Sequence, residues 1–352
     1  ARIQVWAMRE TWTTTPPGQR FHYSNVGYKV LGIVLERIAG APYRETIQAR
    51  VLDRLGLIDS APTITNAIRP KMATAYMPSF DDRPWWPGQP LSPATWFETD
   101  TADGCLAMTA ADLARYLAAL LNEGKGLLSP ESFAQLIGKG FEFESEPEPH
   151  WYGFAIMGAL VDSHRYIGHS GGMVGYSSRM IGDLDTGLGV VALVNGPGAP
   201  SLIARTALDF LRAEAEGKPF EFPAILDRGR IENASDFAGV FVSPSGDNRL
   251  EVTANGDVLS LHDGGDSLAL RRLGEDAFVA DARNWDLFPL AFERLNGSVT
   301  AVAYGGDWLA REGVETEAIQ SLPAEWAPFP GHYRSHNPWL TSFKVVERQG
   351  EL

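Results

Sequence analysis

The hydrophobic pattern of the chain changes its period once, and this change constrains the fold more than any other feature. Between residues 21 and 137 apolar side chains recur at helical spacing. After an acidic, proline-rich stretch at residues 142–149 the pattern alternates, which is typical of strands. We expect four strands and then one covering helix, over residues 152–161, 165–167, 177–182, 188–195 and 201–216. Helices followed by a sheet that a helix covers predict the α+β class.

Local end signals define the first helices. Ser24 or Asn25 is a good N-cap for a helix that Gly40 ends, because glycine adopts the left-handed conformation of a helix C-terminus. A second helix is expected over residues 43–55. Residues 78–101 are rich in proline and tryptophan and too apolar for a solvated linker, so they predict a packed loop.

Closely spaced turn signals mark a second, all-β part of the chain. Short alternating runs are separated by four hairpin signals, at Asn255-Gly256, Gly264-Gly265, Asn296-Gly297 and Gly305-Gly306. This spacing predicts a small antiparallel β-barrel, and this part of the chain resembles a lipocalin-like domain. The resulting division is a first domain at residues 1–218, a linker at 219–232, the barrel at 233–320 and a further segment at 321–352.

The last segment repeats the start of the barrel. Residues 237–243 (FAGVFVS) recur at residues 329–335 as FPGHYRS. We therefore expect the chain to end inside a second, truncated barrel. Because one hairpin cannot bury its apolar face, this end should be poorly ordered or unpaired, with residues 343–352 forming a strand that has no partner.

Composition narrows the class of partner. The formal net charge of −14 argues against nucleic acid, since phosphate binding needs clustered Lys and Arg. We expect a small-molecule or peptide substrate, and the longest apolar runs are too short for a transmembrane segment. The single cysteine, Cys105, has no partner for an internal disulfide and is read as a small buried apolar residue.

Two short motifs are candidates for chemistry. Tyr23-Ser24-Asn25 stands at the start of the first long helix. A purely structural interpretation of this motif is an aromatic residue beside a helix cap. The second motif starts at His169, and residues 168–172 fit the G-x-S-x-G pattern of an α/β-hydrolase nucleophile elbow, with Ser170 as nucleophile. An elbow needs a helix directly afterwards, whereas this sequence continues with a hairpin pattern.

Taken together, residues 16–215 resemble the penicillin-recognising serine hydrolases, the family of class C β-lactamases, D-aminopeptidases and serine esterases. Three motifs define that family: Ser-x-x-Lys, Tyr-x-Asn, and Lys-Thr-Gly or His-x-Gly. The second and third stand here in the expected order, at residues 23–25 and 169–171. The resemblance implies a β-lactamase/transpeptidase-like fold, incomplete at its N-terminus and followed by the barrel. It also favours a periplasmic or secreted location, although the compartment itself stays unknown.

The resemblance implies roles for the residues of both motifs. Tyr23 would be the general base or proton relay and Asn25 would hold the substrate amide or position a lysine. A free tyrosine titrates near pH 10, so it becomes a base at neutral pH only where nearby cations favour the phenolate. His169 would replace the third-motif lysine, and the backbone N–H of Gly172 would be an oxyanion donor.

Within the third motif, Ser170 and Gly171 would contact the substrate. Histidine is often neutral at pH 7, which favours less charged acyl groups than a lysine does. This shifts the expected activity from β-lactamase towards esterase or D-aminopeptidase.

The first motif is missing, because no serine of the chain has a lysine three residues on. We expect the nucleophile, and any export signal, upstream of Ala1, and a fragment that alone is inactive. A non-catalytic relative that binds peptides or peptidoglycan stays an alternative, as does the elbow at Ser170. No cofactor is expected, and no metal site, since no Cys, Asp or Glu at ligand spacing surrounds the histidines. The oligomeric state is left open.

Overall fold

A computed structural model describes residues 2–12, 15–143, 149–315 and 321–352. The chain divides into two compact units. The first consists of residues 1–77 and 92–223, and the second of residues 78–91 and 224–352. The proline- and tryptophan-rich stretch is therefore shared, because residues 78–91 belong to the second unit. Arg83 is one of the residues that join this stretch to the second unit, since its Nη1 lies 2.6 Å from Oδ2 of Asp286.

The helices of the first unit begin and end at the residues that local chemistry favours. They are α1 (Arg2–Ala7), α2 (Asn25–Ala39), α3 (Tyr43–Ile47), α4 (Asp53–Leu55), α5 (Ala110–Leu121), α6 (Pro130–Ile137) and α7 (Pro200–Glu216). Ser24 is the cap of α2, since its Oγ accepts the backbone N–H of Gly27 at 3.0 Å. Gly40 ends the helix with a φ of 66°. A wide π turn at Gln48–Leu52 joins α3 to α4, so the helix predicted over residues 43–55 is confirmed.

A six-stranded antiparallel sheet follows the helices. Besides the short pair β1 (Tyr76–Pro78) and β2 (Leu91–Pro93), the strands in spatial order are β3 (Phe141–Phe143), β4 (His150–Tyr152), β5 (Met157–Val161), β6 (His164–Met173), β7 (Tyr176–Asp183) and β8 (Gly189–Val194). One face packs on α7 through buried residues that include Tyr166 and Ile181. The other face buries Ile167 against Leu120 of α5 and Phe133 of α6. The first unit is thus a sheet between two helical layers.

The strand expected at residues 165–167 was predicted too short. The structure has one continuous strand, β6, from His164 to Met173, which pairs with β7 from Tyr166 to Met173. The glycines of β6 continue the strand because the neighbouring strand leaves no room for a side chain at two of them. A Cβ on Gly168 would overlap the backbone oxygen of Met180, and one on Gly171 would overlap Oγ of Ser178.

The second unit contains a closed barrel of eight antiparallel strands. A short helix, α8 (Ala234–Phe237), precedes the strands β9 (Gly239–Val242), β10 (Arg249–Asn255), β11 (Val258–Asp263), β12 (Asp266–Arg272), β13 (Ala277–Ala280), β14 (Leu290–Leu295), β15 (Ser298–Tyr304) and β16 (Asp307–Arg311). Strand β9 closes the barrel by pairing with both β10 and β16. All four hairpin signals lie at turns between neighbouring strands. The core is aromatic, with Phe237 edge-on to Phe278 and Phe292.

The last segment forms a hairpin, so the expectation of an unpaired strand was wrong. Strand β17 (Gly331–Arg334) pairs with β18 (Ser342–Val345). Within the second unit, Arg334 also forms an ion pair with Asp81, and Nη2 of Arg348 donates to the backbone oxygen of Gly305 at 2.9 Å. Phe343 nevertheless remains 46% exposed, as expected for a single hairpin with no sheet to cover it.

In the part of the chain that the structure describes, every helix is too short or too polar to cross a membrane.

Candidate active site

Three aromatic side chains from distant parts of the first unit meet beside β6. Tyr23 lies in the extended segment that enters α2, Tyr152 ends β4, and His169 lies in β6. The ring centroid of Tyr23 lies 6.2 Å from that of Tyr152 and 6.4 Å from that of His169. The structure therefore brings together Tyr23 and His169, the leading residues of the two sequence motifs.

Both ring nitrogens of His169 have partners. Nε2 lies 3.0 Å from the hydroxyl oxygen of Tyr152, and Nδ1 lies 2.6 Å from the backbone oxygen of Ser170. A carbonyl oxygen only accepts hydrogen bonds, so Nδ1 carries the proton. In the neutral ring Nε2 is then an acceptor, and Tyr152 donates to it.

The two tyrosines beside His169 differ in their surroundings. Tyr23 is 52% exposed. Tyr152 is half-buried, and burial, together with the neighbouring Tyr28 and Tyr23, raises its pKa to about 12. Burial and Tyr23 also raise the pKa of Tyr28. Tyr152 and Tyr28 are therefore protonated phenols at neutral pH.

Asn25 is the first residue of α2 and is exposed. One helical turn later, Nζ of Lys29 contacts Oε1 of Gln4 at 2.6 Å and Oδ2 of Asp103 at 3.2 Å. Both members of the Lys29–Asp103 pair are largely buried, with side-chain exposures of 12% and 14%. This ammonium is neutralised by its partner and is not a free cation for Tyr23.

The distal half of β6 has a free edge. Strand β5 pairs with β6 only as far as Gly168, and within the described ranges no other strand continues that edge along residues 169–173. Alternate backbone N–H groups of this half therefore point away from β7 without a strand partner. Gly171 and Gly172 are exposed, and a Cβ added to Gly172 would meet no atom within 4 Å. A substrate carbonyl has room to approach the backbone here.

Ser170 does not lie on a nucleophile elbow. It sits inside β6, which continues to Met173 and turns directly into β7, whereas an elbow requires a strained turn from a strand into a helix. Its Oγ accepts from Nη1 of Arg179 at 3.1 Å. Burial lowers the pKa of Arg179. The α/β-hydrolase alternative is therefore wrong for this fold.

A group of ionisable residues behind the sheet was missed by sequence reasoning. His164, Asp183 and Asp185 lie close enough together to share a metal ion. Their carboxylates are already paired, since Asp183 contacts His164 at 2.8 Å and Arg212 at 3.7 Å, and Asp185 contacts Arg165. Two guanidinium groups would repel a further cation, so these residues form a partly exposed ion cluster at the ends of β6 and β7.

Comparisons with known proteins agree with this architecture. The family model described as Beta-lactamase matches residues 4–214, which is more than half of the chain. The chain belongs to the β-lactamase family. A human protein, Putative beta-lactamase-like 1, is 27% identical over 95% of this chain, and the chain spans 65% of that protein's length.

A solved structure shows the same fold. The octameric penicillin-binding protein homologue from Pyrococcus abyssi superposes with a TM-score of 0.55 at 24% identity, covering 85% of this chain and 67% of that one. The first unit thus has the β-lactamase/transpeptidase-like fold, and the α+β prediction with an added barrel is confirmed.

Tyr152 is the site residue that sequence reasoning missed. Its neighbours His150 and Trp151 give it the appearance of an ordinary strand aromatic, and no motif marks it. Only the pairing of β4 with β5, and of β5 with β6, brings its hydroxyl to His169.

Proposed function

We propose that this chain is the substrate-binding part of a serine hydrolase that cleaves an ester or amide through an acyl-enzyme. Its nucleophile would be the serine of a Ser-x-x-Lys segment outside these residues. The observation that carries the proposal is the meeting of Tyr23 and His169, at a ring distance of 6.4 Å, beside the free edge of β6. Family membership supports the reaction class.

In the proposed reaction, the serine oxygen attacks the substrate carbonyl while its proton passes to the phenolate oxygen of Tyr23. The lysine ammonium of the Ser-x-x-Lys segment would be the cation that favours this phenolate. Tyr23 then gives a proton to the leaving amine or alcohol as the bond from carbon to that group breaks. In deacylation, water attacks the acyl carbon while its proton passes to Tyr23. Tyr23 then returns a proton to the serine oxygen as the bond between that oxygen and the acyl carbon breaks. The half-exposed position of Tyr23 leaves its hydroxyl open to both partners.

The developing oxyanion would accept hydrogen bonds from the N–H of Gly172 and from the backbone of the nucleophile. The missing side chain of Gly172 lets the carbonyl approach the strand closely. Losing one such donor typically costs about 3–4 kcal/mol of transition-state stabilisation. Asn25, exposed at the start of α2, would bind the amide of the substrate, and Ser170 and Gly171 would contact its acyl part.

His169 decides which acyl groups fit. Its two nitrogens contact a carbonyl and a phenol, and a histidine is often neutral at pH 7, whereas a lysine is a fixed cation. A lysine at this position would attract a carboxylate. We infer a preference for uncharged acyl groups, such as short-chain esters and amino-acid amides, over β-lactams.

A fluorophosphonate probe tests the location of the nucleophile. We expect no labelled serine when the isolated chain is treated, and one labelled Ser-x-x-Lys serine, mapped by mass spectrometry, when the full-length protein is treated. A label on any serine of the chain, Ser170 included, would overturn the proposal. A full-length protein that binds peptides without being labelled would show the non-catalytic alternative.

A further inference from the structure

We propose that Tyr152 is a positioning residue that holds His169 in one neutral tautomer, with the proton on Nδ1 and the lone pair of Nε2 occupied. The catalytic role of Tyr152 rests on the proposed function. The tautomer of His169 does not, because it depends only on the side chains of Tyr152 and His169 and on the carbonyl of Ser170. It adds a residue that neither family motif contains.

The geometry specifies the direction of each hydrogen bond. The Ser170 carbonyl oxygen accepts from Nδ1 at 2.6 Å, which leaves Nε2 without a proton in the neutral ring. The Tyr152 hydroxyl, 3.0 Å from Nε2, must then donate. A free imidazole favours the opposite tautomer, so the two contacts together select the less common form.

Packing holds the Tyr152 hydroxyl in place. Its ring lies 5.1 Å from that of Phe21, and its backbone pairs with Phe141 on one side and Met157 on the other. A side chain fixed between two strands loses little further freedom when it donates to His169. Burial keeps the hydroxyl protonated, as a donor must be.

The two tyrosines that face His169 therefore have different roles. Tyr152 keeps its proton for His169, whereas the more exposed Tyr23 is free to exchange a proton with substrate. The Nε2 lone pair of His169 is occupied and does not compete with Tyr23 for the proton of the nucleophile. Removing the Tyr152 hydroxyl would take away the donor that keeps Nε2 unprotonated in a ring whose centroid lies 6.4 Å from that of Tyr23.

Nitrogen-15 NMR of the histidine rings in this chain tests the inference directly. At a pH where His169 is neutral, we expect the Nδ1–H tautomer, with the Nε2 resonance moved upfield by the phenol. In Tyr152→Phe the Nε2–H tautomer should appear, so the Nε2 resonance should move further upfield, towards that of a protonated ring nitrogen, and the Nδ1 resonance should move downfield. Tyr333→Phe in the second unit is the matched control and should leave the His169 signals unchanged.

Two outcomes would overturn the inference: an Nε2–H tautomer in the unmodified chain, or His169 signals in Tyr152→Phe identical to those of the unmodified chain. The first needs no variant, so it decides even where Tyr152→Phe fails to fold. Unchanged signals of His164 and His262 report that the variant has folded. Since no substrate is used, the tautomer result stands even if the full-length protein proves not to be a hydrolase.

In the full-length protein, Tyr152→Phe should lower kcat about tenfold while KM changes less than about threefold, as expected for loss of one positioning contact. An unchanged kcat together with the expected NMR change would show that Tyr152 sets the tautomer without serving the reaction, and would overturn the positioning role.

Discussion

Replacing Asp112 by asparagine should destabilise the first unit. Asp112 lies in the first turn of α5 and its side chain is fully buried. Its Oδ2 accepts from the backbone N–H of Asp59 at 2.9 Å and from the hydroxyl of Ser60 at 2.8 Å, and its Oδ1 pairs with Arg115. One carboxylate thus joins the segment after α4 to the start of α5.

The magnitude follows from these contacts. In Asp112→Asn the side-chain amide oxygen would still accept from Asp59 and Ser60, but two charge-assisted hydrogen bonds would become neutral ones, at a cost of about 0.5–1.5 kcal/mol each. Loss of the pair with Arg115, which is mostly exposed, adds at most about 1 kcal/mol. The expected loss of unfolding free energy is about 2 kcal/mol, or about 4–8 °C in Tm for a unit of this size.

The pH dependence has a defined sign. Burial alone would raise the pKa of Asp112, but the hydrogen bonds from Ser60, Asp59 and Arg115 outweigh it and hold the pKa below its usual value. A lowered folded-state pKa gives stability that is complete above the unfolded value of about 4 and is lost as the pH falls through the folded value. The difference in unfolding free energy between the native chain and the variant should therefore be constant above about pH 5 and become smaller in acid.

Urea unfolding followed by circular dichroism, at several pH values, measures this difference. Asp59→Asn is the matched control, because its side chain is exposed and should cost less than about 0.5 kcal/mol. An Asp112→Asn variant as stable as the control at pH 7, or a loss of stability that grows in acid, would refute this role of Asp112.

Two further predictions concern packing in each unit. Phe237→Ala should cost the barrel about 3–5 kcal/mol, because Phe237 is fully buried, whereas Leu295→Ala, at a residue 65% exposed, should cost little; thermal unfolding compares them. Gly158→Ala should cost the first unit about 1–3 kcal/mol, because its methyl group would overlap the Trp151 indole. Gly104→Ala, where the methyl group meets no atom within 4 Å, is its control, and equal urea midpoints for the two would contradict the packing argument.

The parts of the fold that depend on neighbouring residues were predictable. Helix α2 begins after Ser24 and ends at Gly40 because a side-chain oxygen satisfies an N-terminal amide and a glycine accepts a left-handed φ. The barrel hairpins follow similarly, with Asn296 at a φ of 52° and Gly297 at 83° in a two-residue turn.

The parts of the fold that depend on pairing between distant residues were not predictable from the sequence. The glycines of residues 168–172 resemble a break in a strand, yet pairing with β7 carries β6 through them to Met173. Likewise, the position of residues 78–91 depends on the contact between Arg83 and Asp286, which are 203 residues apart in the chain. Neither contact leaves a local signal in the sequence.

The candidate site divides in the same way. Tyr23 and His169 belong to motifs that a reader of the sequence can find, and the fold brings them together. Tyr152 reaches His169 only through the register of three strands, so its place beside His169 appears only in the folded chain.

In the proposed reaction Tyr23 moves the proton of acyl transfer. The most direct test is the steady-state kinetics of Tyr23→Phe in the full-length protein with a short-chain ester, beside Tyr333→Phe as a tyrosine outside the site. We expect kcat/KM to fall by about 10²–10⁴ for Tyr23→Phe, because a general acid–base group is lost, and to stay within about twofold for the control. A Tyr23→Phe enzyme as active as the control would contradict this role of Tyr23.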